Sequence, residues 1–191
     1  MSKLPVEYEN PIDNILIKIC DNVAPTFHSY GFTPNMVTTL SNISAIIVII
    51  LLLQAKYVWA ALFVLIAYFF DCLDGHIARK YNQTSKFGDY YDHISDYIKT
   101  LAILYTLYQI DSVKFFKIIP ILIIAGILMV IQFGCQEKYY NSTESDTLHF
   151  TKTMCPADDK ESLENTMRYT RYFGAGTSNL LLALCVLYYG I

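Results

Sequence analysis

Long apolar runs alternate with short polar breaks along this chain. The first run, Met36 to Leu53, carries NISAIIVIILLL and stops at Gln54. The second starts near Tyr57 with VWAALFVLIAYFF and continues without a helix breaker into Asp71, Asp74 and Arg79. A third covers Gly88 to Ile110, with strongly acidic first turns. The fourth, Val113 to Phe133, holds Pro120, and the fifth lies near Thr170 to Ile191. Read against the roughly 20 residues that a helical crossing needs, these are five membrane spans. A polar segment, Gln136 to about Thr166, separates the last two. Ahead of them, residues 10–29 place Ile12, Ile15, Leu16, Ile19 and Val23 at helical spacing with polar residues on the other face. That pattern predicts an amphipathic helix on the bilayer surface. The competing reading packs this helix on another part of the protein, but no soluble core is visible for it in the sequence.

Composition supports the membrane reading. Apolar residues make up 54% and charged residues only 16% of the 191, against about 25% charged in soluble domains. Sixteen Tyr and eleven Phe suit a chain whose aromatics gather at membrane interfaces. The expected fold is all-α: one polytopic helical membrane domain over 1–191, with about five to six transmembrane helices after an interfacial helix. Net charge is −3 and there is no basic stripe, which argues against nucleic acid as a partner. The cysteines at 20, 72, 135, 155 and 185 form no C-x-x-C or Cys/His pattern, so neither a disulfide framework nor a zinc site is expected. The N-terminus is polar and lacks the pattern of a cleaved signal peptide.

Orientation follows from Lys and Arg. Lys3, Lys18, Arg79, Lys80, Lys86, Lys138, Lys152, Lys160, Arg168 and Arg171 fall on one side, and Lys56, Lys114 and Lys117 on the other. The first side is expected to be cytoplasmic. The glycosylation matches at Asn82 and Asn141 would then face away from glycosylation.

The cytoplasmic end of spans two and three holds the chemistry: DCLDGHIARKYNQTSKFGDYYDHISD. Asp71 and Asp74 are three apart and Asp92 and Asp96 four apart, so each pair shares a helical face. Carboxylates in a membrane are costly and repel each other. Oxygen-only ligands suit a hard divalent cation such as Mg²⁺, Mn²⁺ or Ca²⁺. Two ions would satisfy four Asp and also bind a diphosphate. Gly75, Ala78 and Gly88 let a ligand approach the backbone, and Arg79 offers a donor fork to a phosphate. Lys86, Arg168 and Arg171 are further candidate phosphate contacts, or plain positive-inside anchors. His93 could support Asp92, and Lys99 could neutralise the acids or snorkel to the interface.

This stretch resembles the signature of the CDP-alcohol phosphotransferase family, D-x2-D-G-x2-A-R-x8-G-x3-D-x3-D. Asp71, Asp74, Gly75, Ala78, Arg79, Gly88, Asp92 and Asp96 fill every fixed position. Pro34, Asn35 and Thr38 in TPNMVTTLSN also look like the family's first span. The likeness covers a motif-bearing core, residues 33–100. It implies six spans, where five are counted: either the sixth is missing, or a weak one lies among residues 136–166. It also implies that Asp71, Asp74, Asp92 and Asp96 ligate Mg²⁺ or Mn²⁺, two ions in all, with Asp96 as general base. Asp71, Asp74, Gly75, Ala78, Arg79 and Gly88 would hold the cytidine diphosphate. An alcohol would attack the β-phosphorus of a CDP-linked donor, and CMP would leave. Such enzymes work on membrane lipids, in the endoplasmic reticulum of eukaryotes, and homodimers are common among them.

Substrate is less legible. NQTSKFG looks like the branch that joins CDP-diacylglycerol to inositol, serine or glycerol phosphate, whereas YDHISD is similar to the choline and ethanolamine branch. Chain length favours the first. A prenyltransferase would fit the acids but not the contiguous Gly75, Ala78 and Arg79; the other alternative is a non-enzymatic cation-binding membrane protein, a cation carrier or an inactive relative, the latter opposed by the intact acid set.

Overall fold

The computed structural model describes residues 4–140 and 149–191. Within them the chain forms seven α-helices, and no strand is present among the described residues. Local chemistry sets most of the helix starts. Asn10 caps α1 (Pro11–Ser29) by accepting from the Ile12 N–H, and Thr33 caps α2 (Pro34–Leu53) by accepting from the Met36 N–H. Each of these helices begins with Pro, whose fixed φ suits the first turn and whose missing N–H costs nothing there. Gly31 takes φ +80° in the link between them, a conformation that disfavours side chains. α3 (Tyr57–Lys80) follows α2 through a tight turn. Ser85 caps α4 (Lys86–Ile110), and Asp111 opens α5 (Ser112–Tyr140) by accepting from the Lys114 N–H. A 3-10 segment, His149–Met154, precedes α6 (Lys160–Thr170), and a short 3-10 turn leads into α7 (Ala175–Tyr188).

All five apolar runs are helices close to their expected bounds. Three of them, α2, α3 and α5, are long and apolar enough to cross a membrane. α4 is long enough, but its first turns carry the acids. α7 has 14 residues, about 21 Å at 1.5 Å per residue, short of a bilayer core of about 30 Å. No sixth crossing helix occurs among the described residues of 136–166. α6 there has 11 residues and a polar sequence.

The main core joins Val48 and Leu52 of α2, Ala60 and Val64 of α3, Ile103 and Leu107 of α4, Ile118 of α5, and Leu182 and Val186 of α7. Ser41, Ser44 and Ala45 on α2 and Ala60, Ala61 and Ala67 on α3 are all buried. Small residues let two helices approach closely where no hydrophobic drive separates protein from lipid. α1 is held by the bundle: its Cys20 and Ala24 are buried against Val37, Leu73 and Ile77. His76 and Lys80 reach its Asp21 at 3.0 and 3.7 Å. Ile15 and Ile19 stay exposed on its other side. The amphipathic face expected for lipid is thus partly a protein-packing face.

One expectation is overturned. Cys135 at the end of α5 and Cys155 are joined in a disulfide. The sequence carries no spacing signature for it because the pair is made by the chain doubling back along α5. Gly134 permits the approach, since a Cβ there would collide with the Thr151 carbonyl oxygen. Lys138 fastens the same segment, donating to the carbonyls of Cys155 and Ala157 at 3.0 and 2.7 Å. Lys3 and Asn141, used above, lie outside the described residues.

Candidate active site

α3 ends and α4 begins at the same end of the bundle, joined by the Tyr81–Ser85 turn. The antiparallel pair brings Asp71 of α3 against Asp92 and Asp96 of α4. Each offers one carboxylate oxygen, and these oxygens lie within 4.8 Å of one another. Asp92 Oδ1 is buried and has no hydrogen-bond partner. A buried carboxylate oxygen left without a donor is expensive. An all-oxygen donor set with one such orphan fits a hard divalent cation.

Asp74 lies outside this group of three. It is 3% exposed, and its Oδ2 accepts from Thr38 Oγ1 at 2.6 Å. Lys99, seven residues past Asp92 on α4, sits behind the acids. Its Nζ lies 2.6 Å from Asp96 Oδ1 and 3.2 Å from Asp71 Oδ1. His93 Nδ1 lies 2.8 Å from the Asp89 carbonyl oxygen and 3.4 Å from Asp89 Oδ1.

The small positions are crowded in different ways. A Cβ on Gly75 would lie 3.1 Å from Arg79 Nη1, so the guanidinium covers that bare backbone. A Cβ on Gly88 would lie 3.0 Å from the capping Ser85 Oγ and 3.2 Å from Asn35 Oδ1. Ala78 is half-buried. Of the three phosphate candidates, Lys86 is exposed on the first turn of α4. Arg171 donates through Nη1 to the Glu7 carbonyl, and Arg168 hydrogen-bonds Tyr8.

Several groups near the site escaped the sequence reading. Ser41 donates to the Ala67 carbonyl at 2.8 Å and accepts from Lys99 at 2.7 Å. Asn42 Nδ2 lies 3.2 Å from both Tyr91 Oη and Ser95 Oγ. The signal for Asn42 was a polar stripe in an otherwise apolar span: Asn35, Thr38, Thr39 and Asn42 recur at i, i+3, i+4 and i+7. On the other side, Asp13 of α1 accepts from Tyr68 Oη and from the Gly176 N–H. A Cβ on Gly176 would strike the Asp13 carboxylate. Burial pushes the Asp13 carboxyl up to about 6, against the pull of those two hydrogen bonds. Asn10 Nδ2 ties the same junction to the Arg171 carbonyl at 2.7 Å and Thr177 Oγ1 at 2.8 Å.

Neither curated proteins nor solved structures give a match to this chain. A family model does: CDP-alcohol phosphatidyltransferase matches residues 32–156, from the start of α2 to just past the disulfide. That match covers well over half the chain and contains the whole acidic stretch, so the chain belongs to the CDP-alcohol phosphatidyltransferase family, a group of phosphotransferases that bind a CDP-alcohol donor and an alcohol acceptor.

Proposed function

We propose that this chain makes a phospholipid by transferring a substituted phosphate from a CDP-linked donor to an alcohol. The acceptor oxygen bonds to the β-phosphorus, the bond to the CMP oxygen breaks, and a phosphodiester forms as CMP leaves. The observation that carries this reading is the convergence of Asp71, Asp92 and Asp96 from two helices, with one orphaned oxygen, inside the family match. Asp71, Asp74, Asp92 and Asp96 would hold divalent cations, Mg²⁺ or Mn²⁺ and two in number. Such ions would offset diphosphate charge in the donor and in the departing CMP. Asp96 takes the proton of the attacking hydroxyl. It is the more exposed of the two acids on Lys99, at 39% against 21% for Asp71, and so the more open to an entering alcohol. Gly75, Ala78 and Gly88 leave backbone for the nucleotide to lie against, and Arg79 swings from Gly75 to a phosphate. Lys86, exposed on the first turn of α4, is a further candidate phosphate contact. Arg168 and Arg171 would first have to leave Tyr8 and the Glu7 carbonyl.

The proposed donor is CDP-diacylglycerol, with inositol, serine or glycerol phosphate as acceptor. The alternative is transfer from CDP-choline or CDP-ethanolamine to diacylglycerol. The chain acts as one membrane domain, with residues 10–29 at the interface and 33–100 as the motif-bearing core. Lys and Arg, ten against three, favour a site on the cytoplasmic face of an endomembrane such as the endoplasmic reticulum. The Cys135–Cys155 disulfide favours a second reading, in which the acids face an oxidising compartment, because α5 runs back to the end of the bundle where the acids lie and disulfides persist in such compartments.

The test is CMP release by purified protein with Mn²⁺ or Mg²⁺, offering each donor with each acceptor. Release from a CDP donor that stops in chelator and in Asp96→Asn, with the fold retained, supports the proposal. Turnover of prenyl diphosphate alone would sink it.

A further inference from the structure

Lys99 holds two of the acids that would ligate a cation of the site. Its Nζ lies 2.6 Å from Asp96 Oδ1, 3.2 Å from Asp71 Oδ1 and 2.7 Å from Ser41 Oγ. An ammonium has three protons, and these three partners match them one for one. The partners come from α4, α3 and α2, so one side chain joins all three helices at the floor of the acid cluster. The group is only 13% exposed, so water does little to dilute its charge. Asp92, Asp96 and Lys99 fall at i, i+4 and i+7 of α4, on one face, which keeps the lysine beneath the acids rather than out in lipid.

Two of the three oxygens' owners that could hold a metal, Asp71 and Asp96, are therefore already paired with a positive charge. We propose that Lys99 is a built-in counter-cation that competes with a divalent ion for Asp71 and Asp96, and so sets how tightly this site loads its metal. The inference rests on the reading of the acid cluster as a metal site. With no ion bound, the ammonium keeps two converging carboxylates from driving each other apart. When an ion arrives, Lys99 must give up at least part of its hold, and four methylenes give it the reach to move toward Ser41. A lysine that merely fastens the helices predicts the opposite effect of its removal: loosened ligands and weaker metal binding.

The experiment measures Mn²⁺ binding by the loss of the free-ion electron paramagnetic resonance signal, in detergent and without nucleotide. Wild type is compared with Lys99→Met and Lys99→Gln, each checked for fold by size exclusion. Removing a unit charge this close should tighten Mn²⁺ binding by roughly tenfold or more. Binding that is unchanged or weaker in folded variants overturns the proposal. If wild type and both variants bind no Mn²⁺, the metal-site reading itself fails and takes this inference with it. Should the variants not fold, the wild type supplies the measurement. Acetylation of Lys99 by an amine-reactive ester, read by mass spectrometry, should be faster with Mn²⁺ than without, and equal rates overturn the proposal.

Discussion

The hydroxyl of Thr38 controls one of the four acids, and its removal has a calculable cost. Thr38 Oγ1 lies 2.6 Å from Asp74 Oδ2 and 3.2 Å from the Pro34 carbonyl. It has one proton, and the shorter distance assigns that proton to the carboxylate. Thr38 and Asp74 are 2% and 3% exposed, so water does not stand in when the donor is lost. Thr38→Val keeps the shape and deletes the donor. A hydrogen bond to a charged group contributes about 1.5–3 kcal/mol, and the buried acceptor left behind adds a desolvation cost of similar size. If Asp74 must be held in place during transfer, a loss of about 1.5–3 kcal/mol lowers kcat/KM by roughly 10- to 150-fold. The assay is CMP release from whichever donor the wild type uses, at fixed Mn²⁺, with melting temperature measured in parallel. Thr38→Ser restores a hydroxyl and should recover most of the loss. A Thr38→Val enzyme within about twofold of wild type, or a serine variant as poor as the valine one, would refute the reasoning.

Three further outcomes are expected. Asp13 has its folded-state carboxyl at about 6, above the usual 3.8, so the folded state is favoured at low pH and loses that advantage as pH rises from about 4 to 6. Asp13→Asn keeps the acceptor oxygen without the charge. It should melt higher than wild type at pH 7.5, by about 1–3 kcal/mol, with the gap closing near pH 4; a gap that ignores pH removes the burial argument. Gly134→Ala places a methyl against the Thr151 backbone carbonyl and should destabilise by about 1–3 kcal/mol in thermal unfolding. Cys155→Ser opens a cross-link spanning 20 residues and should cost about 3 kcal/mol. Reductant should lower the melting temperature of wild type but not of that variant.

The five helices were legible because apolar runs of about 20 residues have few other uses. The starts of α1 and α2 lie within two residues of the edges of their runs, where Asn10 and Thr33 cap a helix that begins with Pro. Asp71, Asp92 and Asp96 were legible as a group because their spacing fixes their faces, and one short turn forces α3 and α4 side by side. What spacing does not carry is which partner a polar group finds. Nothing local says that Asp74 turns to Thr38, thirty-six residues earlier. The Cys135–Cys155 pair was hidden for the same reason. Its proximity is made by a chain reversal, and the residue that allows the reversal, Gly134, looks like any small residue in an apolar helix.

The polar stripe on α2 explains how an apolar bundle tolerates this site at all. The backbone donors of α3 and α4 are already used, and of their side chains Lys99 serves Asp96 and Asp71 but leaves Asp74 to a donor from elsewhere. A third helix, α2, brings that donor and further polar partners around the acids. It does so with short side chains: Thr38 donates to Asp74, Ser41 receives Lys99, and Asn42 bridges Tyr91 and Ser95. Larger polar residues would hold α2 and α3 apart and break the small-residue packing between them. Buried, unbridged acids such as Asp92 Oδ1 are then the exception rather than the rule. On the proposed reading, an oxygen left without a protein donor is one that would take a cation, so the packing that satisfies the other acids would also mark out the metal-binding oxygens.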